Sequence, residues 1–201
     1  MATKILSRGR PRSFDKDAAI AIAQQLFHER GYDGVSVADL GAALGIKPPS
    51  LYSAFGSKAG LFGEVVARYA ETEGEFTART LAGDGPVVDG VERLLLAAAR
   101  IYARQGMKAG CLVLDSTRNS GDIEARTITG GMADRARVLI EDYLARDYPD
   151  DAAMLSEMIQ IAMKGLSSAA RDNASAAALE NFALMAASGF RHQVARTARN
   201  A

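Results

Sequence analysis

The stretch that decides the fold is SVADLGAALGIKPPSLYSAF, residues 36–55. Ser36 and Asp39 have the spacing of a helix capping box. Gly45 is suited to a turn, and Pro48-Pro49 is suited to the first turn of a second helix. The sequence therefore predicts two short helices joined at a glycine. Apolar residues that pack such a pair together are Leu40, Leu44, Ile46, Leu51 and Ala54. This arrangement is that of a helix-turn-helix, whose second helix can enter a DNA major groove about 12 Å wide.

Helical signals continue on both sides of this segment, whereas strand signals are almost absent. Upstream, Ser13 and Asp15 can cap a first helix that runs to about Arg30. Downstream, Ser57 can cap a fourth helix from Lys58 to about Leu81. Further helices are predicted, with approximate bounds, at 86–106, 110–119, 123–146, 149–172 and 175–197. The predicted fold is all-α with about nine helices, and the pair Gly130-Gly131 leaves open whether the 123–146 helix is continuous.

Composition places the chain among ordinary globular proteins. It has 201 residues, of which 48% are hydrophobic and 24% charged, so collagen-like, disordered and coiled-coil classes are excluded. The longest purely apolar run, Leu94 to Ala99, is far shorter than the roughly 20 residues that span a bilayer. Residues 1–12 lack the apolar core of a secretory signal, and the single cysteine, Cys111, cannot form an internal disulfide. We expect a cytoplasmic protein without a membrane partner.

The net charge of zero conceals an uneven distribution. Residues 1–60 contain eight Lys/Arg and five Asp/Glu, a net charge of +3, and the remaining residues carry 16 against 19, a net charge of −3. Every charged residue among the first twelve is basic. A basic end on an acidic body indicates two functional parts.

Residues 15–65 resemble the DNA-binding domain of the TetR family of bacterial transcriptional regulators. The matching segments are Leu26-Phe-His-Glu-Arg-Gly-Tyr32, Ser36-Val-Ala-Asp39, Leu44-Gly-Ile46, and Leu51-Tyr-Ser-Ala-Phe-Gly-Ser-Lys58 followed by Leu61-Phe62. The departures are Gly41, where alanine is usual, and the two prolines of the second helix. Residues 82–201 resemble the family in length and helical layout only. The resemblance implies a DNA-binding domain at 1–56, with its motif at 36–55, and a ligand-binding and dimerisation domain at 57–201.

The resemblance also implies which residues meet double-stranded operator DNA. The residues expected to contact base edges are Lys47, Pro49, Ser50 and Ser53. Those expected to contact phosphates are Ser36, Tyr52 and Lys58. An arm containing Arg8, Arg10 and Arg12 has the composition of a segment lying in an A·T-rich minor groove. The alternatives are solvated surface lysines and a disordered basic tail. Neither Lys47 nor the serines pair uniquely with one base, so the operator sequence does not follow from them.

Two further sets of residues are expected in the second domain. Candidates for a pocket that takes a small apolar effector are Phe76, Tyr102, Met107, Cys111, Leu114, Asp115, Met132 and Met158. Candidates for a homodimer interface, on two apolar stripes of helical period, are Leu155, Ile159, Ala162, Leu166, Phe182, Ala186, Phe190 and Val194. Gly165 and Gly189 would allow close helix approach, although either stripe could instead pack into its own core.

Cys111 has two interpretations. Its apolar neighbours favour a buried structural thiol, with an electrophile sensor as the alternative.

Signals of enzyme chemistry are few. His28 and His192 have no cysteine or acidic pair at metal-ligand spacing, and His28 is expected on the surface. The phosphate-binding and nucleophile-elbow motifs GxGxxG, Walker A and GxSxG are absent. The sequence thus predicts no catalytic, cofactor or metal site. It favours a ligand-responsive repressor, with an effector-independent activator or architectural DNA-binding protein, and an all-α enzyme, as alternatives.

Overall fold

The computed structural model describes residues 15–104 and 109–200 of the chain. Within those ranges every regular element is a helix, which confirms the all-α prediction. A single π-helical turn, Ala70–Gly74, is named the π-turn below. The ten α-helices are α1 (Lys16–Arg30), α2 (Val37–Leu44), α3 (Pro48–Phe55), α4 (Lys58–Tyr69), α5 (Phe76–Leu81), α6 (Val87–Tyr102), α7 (Leu112–Asp115), α8 (Ile123–Leu144), α9 (Ala152–Arg171) and α10 (Ala176–Asn200).

The first three helices begin and end, and α4 begins, where the local signals predict. The Asp15 carboxylate accepts the Ala18 N–H at 3.0 Å, and the Ser57 hydroxyl accepts the Gly60 N–H at 2.8 Å. Ser36 and Asp39 form both bonds of a capping box at the start of α2. Gly45 ends α2 with φ 65°, a left-handed conformation that glycine adopts without steric cost.

An aromatic cluster joins α1 to α4. The ring of Phe62 packs edge-on against the rings of Phe27 and Tyr32, with both centroid distances 5.0 Å. Leu40 of α2 and Leu51 of α3 are fully buried in the same core. The pair α2–α3 is therefore fixed to a frame made by α1 and the first turns of α4.

The predicted helix 58–81 is wrong in one respect, because it is interrupted. Helix α4 ends at Tyr69, the π-turn follows, and α5 begins only at Phe76. Thr72 within the turn donates its hydroxyl to the Arg68 carbonyl at 2.9 Å, a backbone contact that bends helices. The π-turn widens the helix by one residue at the point where α5 turns away.

Three other expectations concern helix bounds. Helix α6 ends at Tyr102 rather than near Gly106, which lies outside the described residues, and α7 is a single turn within the predicted 110–119 segment. Helix α8 is continuous through Gly130-Gly131. A Cβ at either glycine would meet nothing within 4 Å, so packing does not require glycine there.

His28 is buried, contrary to the expectation of a surface position. Its Nε2 lies 3.2 Å from the carbonyl oxygen of Gly110, 82 residues further along the chain. The segment before α7 covers the last turn of α1, a long-range contact that no pattern within α1 could reveal.

The larger half of the protein is built around α6, which packs against α9 and α10. Arg191 of α10 donates to Asp89 and Glu92 of α6 at 2.8 and 2.9 Å, and Arg100 of α6 pairs with Glu180 of α10 at 2.9 Å. Among the described helices, none has the length and apolarity needed to cross a membrane.

The aromatic cluster should dominate the stability of the unit made by α1, α2, α3 and the first turns of α4, which we name the N-terminal unit. We expect Phe62→Ala to lower the free energy of unfolding by about 3–5 kcal/mol, because it removes a fully buried ring and leaves a cavity. Urea denaturation followed by circular dichroism measures this. Ile123→Ala, at a side chain 73% exposed, is the control and should change stability by less than about 1 kcal/mol. Equal effects of the two substitutions would contradict the role given to the cluster.

Candidate nucleic-acid interface and ligand cavity

Helix α3 has one buried face and one open face. Leu51 and Phe55 point into the core, whereas Lys47, Pro49, Ser50, Tyr52 and Ser53 are all exposed, with Tyr52 49% exposed. Lys47 is the N-cap of α3 and Pro49 lies in its first turn. The residues expected to meet bases thus share one accessible surface, which we name the α3 face.

Ser36 is exposed at the start of α2, but its hydroxyl already serves the capping box. It donates to the Asp39 carboxylate and accepts the Asp39 N–H at 3.1 Å. The Ser36 hydroxyl and the Ser36 N–H both donate to the Asp39 carboxylate, and these two hydrogen bonds hold the pKa of Asp39 below its ordinary value. The carboxylate therefore supports the start of α2 at neutral pH, and that support is lost as the pH falls through the lowered pKa.

Lys58 lies at the first position of α4, and its side chain turns toward the core of the N-terminal unit. Its Nζ lies 4.0 Å from the centroid of the Tyr32 ring, a cation–π contact. Burial lowers the pKa of Lys58, while Asp33 and Asp122 act in the opposite direction. Arg8, Arg10 and Arg12 of the expected arm lie outside the described residues.

The N-terminal unit is held on the rest of the protein by polar contacts that sequence analysis did not identify. The Tyr32 hydroxyl donates to Asp122, the N-cap of α8, at 2.7 Å, and the Tyr32 N–H donates to the Ser116 carbonyl at 2.8 Å. Arg171 at the end of α9 donates to the His28 carbonyl at 2.8 Å. All join residues distant in sequence, so local patterns carry no signal of them.

A further contact joins α1 to the π-turn. Gln24 Nε2 donates to the carboxylate of Glu73 at 2.7 Å. The same carboxylate lies 3.8 Å from Arg104 of the segment after α6. The π-turn therefore touches both the N-terminal unit and the interior of the larger half.

The larger half of the protein contains a cavity of about 200 Å³. It is lined by the π-turn, α5, α8 and α9, the end of α6 and the Cys111–Leu114 segment. Five of the residues expected in a pocket line it, namely Phe76, Tyr102, Cys111, Leu114 and Met132. Residues not anticipated there include Tyr69, Thr77, Arg135, Ile140, Gln160 and Met163. The wall is mainly apolar, and its polar side chains are those of Tyr69, Thr77, Tyr102, Arg135 and Gln160.

Three residues expected in the pocket are not placed in this wall. Asp115 instead accepts the Ser167 hydroxyl and a 3.0 Å bond from Arg118, and so ties α7 to α9. Met158 is 42% exposed on the outer side of α9. Met163, five residues later on the same helix, is buried and lines the cavity instead. Met107 lies outside the described residues.

Cys111 is buried against the cavity. The Tyr69 hydroxyl donates to its sulfur at 3.6 Å, and its N–H donates to the Ser167 hydroxyl at 2.7 Å. Burial raises the pKa of the thiol, which suppresses the reactive thiolate. This environment favours the structural interpretation of Cys111 over the electrophile sensor.

Most of the expected interface residues face their own core. Leu155, Ile159, Leu166, Phe190 and Val194 are buried within the protomer, Ala162 and Ala186 are partly buried, and only Phe182 is exposed, at 45%. The buried members are therefore unavailable to a second chain. Exposed apolar side chains form a different stripe, which we name the outer stripe: Met154, Met158 and Ile161 of α9 and Phe182 and Met185 of α10.

No group of three or more His, Cys, Asp or Glu side chains within residues 15–104 and 109–200 is placed to hold a metal ion. His28 and His192 lie on α1 and α10, elements at opposite ends of the sequence.

Comparison with known proteins gives one consistent result. The sequence model of the bacterial regulatory proteins of the tetR family matches residues 19–65, which contain α2, α3 and the start of α4. The chain is 45% identical over 174 residues to the HTH-type transcriptional repressor BdcR of Escherichia coli (strain K12), covering 86% of this chain and 88% of that protein. It is 33% identical over 180 residues to the repressor ComR of the same organism, covering 84% and 85%.

A solved structure agrees with the sequence matches. The TetR family transcriptional regulator CifR, as a cysteine mutant complexed with 26-base-pair operator DNA, superimposes with a TM-score of 0.80 at 32% identity. The alignment covers 89% of this chain and 98% of that chain. Regulators of this family are DNA-binding transcription factors rather than enzymes. Matching motif, fold and overall sequence together establish that the chain belongs to the TetR family of bacterial transcriptional regulators.

Proposed function

We propose that the protein is a transcriptional repressor that binds operator DNA as a homodimer and is released by a small molecule held in the cavity. The observation that carries this proposal is the exposed α3 face on a rigid frame, within a chain 45% identical to a repressor. In this proposal residues 1–56 form the DNA-binding domain and residues 57–201 the ligand and dimer domain. Lys47, Ser50 and Ser53 meet base edges and Tyr52 meets a phosphate, while Lys58 meets a phosphate once its ammonium leaves the Tyr32 ring.

The outer stripe is the dimer interface in this proposal. Its residues recur at helical spacing on α9 and α10, two helices that pack side by side. Gly165 and Gly189 fall on the same faces, and a Cβ at either would meet nothing within 4 Å of its own protomer. Packing within one chain therefore does not require glycine at these positions, and the small residues suit the close approach of a partner helix. A two-fold dimer also matches the symmetry of a palindromic operator.

Coupling between cavity and DNA follows from shared residues. The π-turn lines the cavity and holds Gln24 of α1 through Glu73. The segment that carries Cys111 and Leu114 also covers His28 and bonds Tyr32. A molecule that fills the cavity acts on both contacts, and weakens DNA binding to the extent that it prefers one arrangement of the N-terminal unit.

The test of the proposal is a gel-shift assay of the purified protein on the DNA flanking its own gene. We expect specific retardation at one palindromic site. Absence of binding there and at every genomic fragment would contradict the repressor assignment. Operator binding without any small-molecule response would support the effector-independent regulator instead.

Phosphate and base contacts should separate in salt titrations. We expect Lys58→Ala to weaken binding to all sequences and to reduce the log–log salt slope by about one unit, because one phosphate contact is lost. Lys47→Ala is the matched comparison and should change which operator bases are tolerated. Filter binding at several salt concentrations measures both. If Lys58→Ala altered base preference while the slope stayed unchanged, the division between the two lysines would be wrong.

The outer stripe can be tested independently of DNA. We expect Met185→Glu to give monomers in analytical ultracentrifugation, because two carboxylates would be buried at the two-fold interface. Operator affinity should fall by about 100-fold or more as the two half-sites lose their linkage. Ile123→Glu is the matched control, since both side chains are 73% exposed, and should remain dimeric. A dimeric Met185→Glu variant would place the interface elsewhere.

A further inference from the structure

Two tyrosines, Tyr69 and Tyr102, line the cavity together with Cys111. All three residues are buried, and the Tyr69 hydroxyl donates to the Cys111 sulfur at 3.6 Å. Because a thiol sulfur accepts hydrogen bonds poorly, an oxygen atom of a ligand would be a better partner for the Tyr69 hydroxyl, and Tyr102 supplies a second hydroxyl in the same wall.

Burial keeps these hydroxyls as donors. It raises the pKa of Tyr69 and of Tyr102, and the neighbouring Cys111 raises both pKa values further. Both phenols are therefore protonated throughout the physiological range.

The remainder of the wall sets the size and polarity of a ligand. Phe76, Leu114, Met132, Ile140 and Met163 supply apolar surface around about 200 Å³ of space. In another protein, an engineered apolar cavity of about 150 Å³ binds benzene. The volume here accommodates a molecule of similar width with a few additional heavy atoms.

We propose that the cavity takes a small neutral molecule with an apolar body and one hydrogen-bond-accepting oxygen, such as a ketone or ester, whose oxygen lies at the Tyr69 and Tyr102 hydroxyls. The role of this molecule as an effector rests on the proposed function, but its binding does not require DNA. Arg135 is an exposed cation in the wall, distinct from the hydroxyl pair, and makes a carboxylate the competing ligand class.

Isothermal titration calorimetry on the full chain tests this assignment with two probes of one carbon skeleton, acetophenone and ethylbenzene. We expect Tyr102→Phe and Tyr69→Phe each to weaken acetophenone binding by about five- to tenfold while changing ethylbenzene binding by less than about twofold. Comparing the two probes on each variant cancels their different hydration. Tyr143→Phe is the matched control, because it removes a buried hydroxyl that does not line the cavity, and should affect neither probe.

Two further measurements sharpen the result. Cys111→Ala removes the competing acceptor and should preserve or strengthen acetophenone binding. Equal losses for both probes in the tyrosine variants, no binding of either probe, or tighter binding of benzoate that Arg135→Gln abolishes, would each overturn the proposal. Operator release by acetophenone is measured separately in the gel shift. Binding with the expected tyrosine dependence but without release would leave the ligand class intact and contradict the effector role.

Discussion

The contact between Phe27 of α1 and Phe62 of α4 determines where the α3 face points. Helix α3 is only eight residues long, too short to be stable alone, and it exists because Leu51 and Phe55 are buried against this frame. Helix α4 continues from the same ring into the cavity wall at Tyr69. One helix thus belongs to both halves of the protein, and a rotation of α4 about its axis cannot leave α3 in place. In the proposed repressor, an interior packed at crystal-like density would carry such a rotation from the cavity wall to α3.

Polar contacts at the junction have a different role from the aromatic core. Three hydrogen bonds join separate elements at this junction: Tyr32 to Asp122, Arg171 to the His28 carbonyl, and Gln24 to Glu73. Each contributes about 1 kcal/mol, so together they hold one orientation of the N-terminal unit without fixing it permanently. A switch requires a difference of this size between its two states, since allosteric couplings are typically 1–3 kcal/mol.

The parts of the structure that could be predicted from sequence depend on short-range chemistry. The caps at Asp15, Ser36 and Ser57 involve residues three apart, and the left-handed turn at Gly45 is a property of one residue. Of the outer stripe only Phe182 is among the predicted interface residues, because α9 is apolar on two faces and the periodicity followed there is that of the face buried in the core. The burial of His28 and the departure of Met158 and Asp115 from the cavity depend on packing between distant segments. The π-turn has no sequence signature beyond Thr72 and Gly74, since a π-turn requires only one residue more than an α-helical turn.

That additional residue lets the chain change length beside the cavity without rotating α5. In the π-turn each hydrogen bond spans five residues instead of four, so the turn takes up one residue more than an α-helical turn while completing about the same rotation. A relative with one residue fewer in 70–74 would therefore keep Phe76 and Thr77 in the wall, whereas the contact between Glu73 and Gln24 would be altered. Chain length at this point and the identity of the wall residues can thus vary independently in evolution.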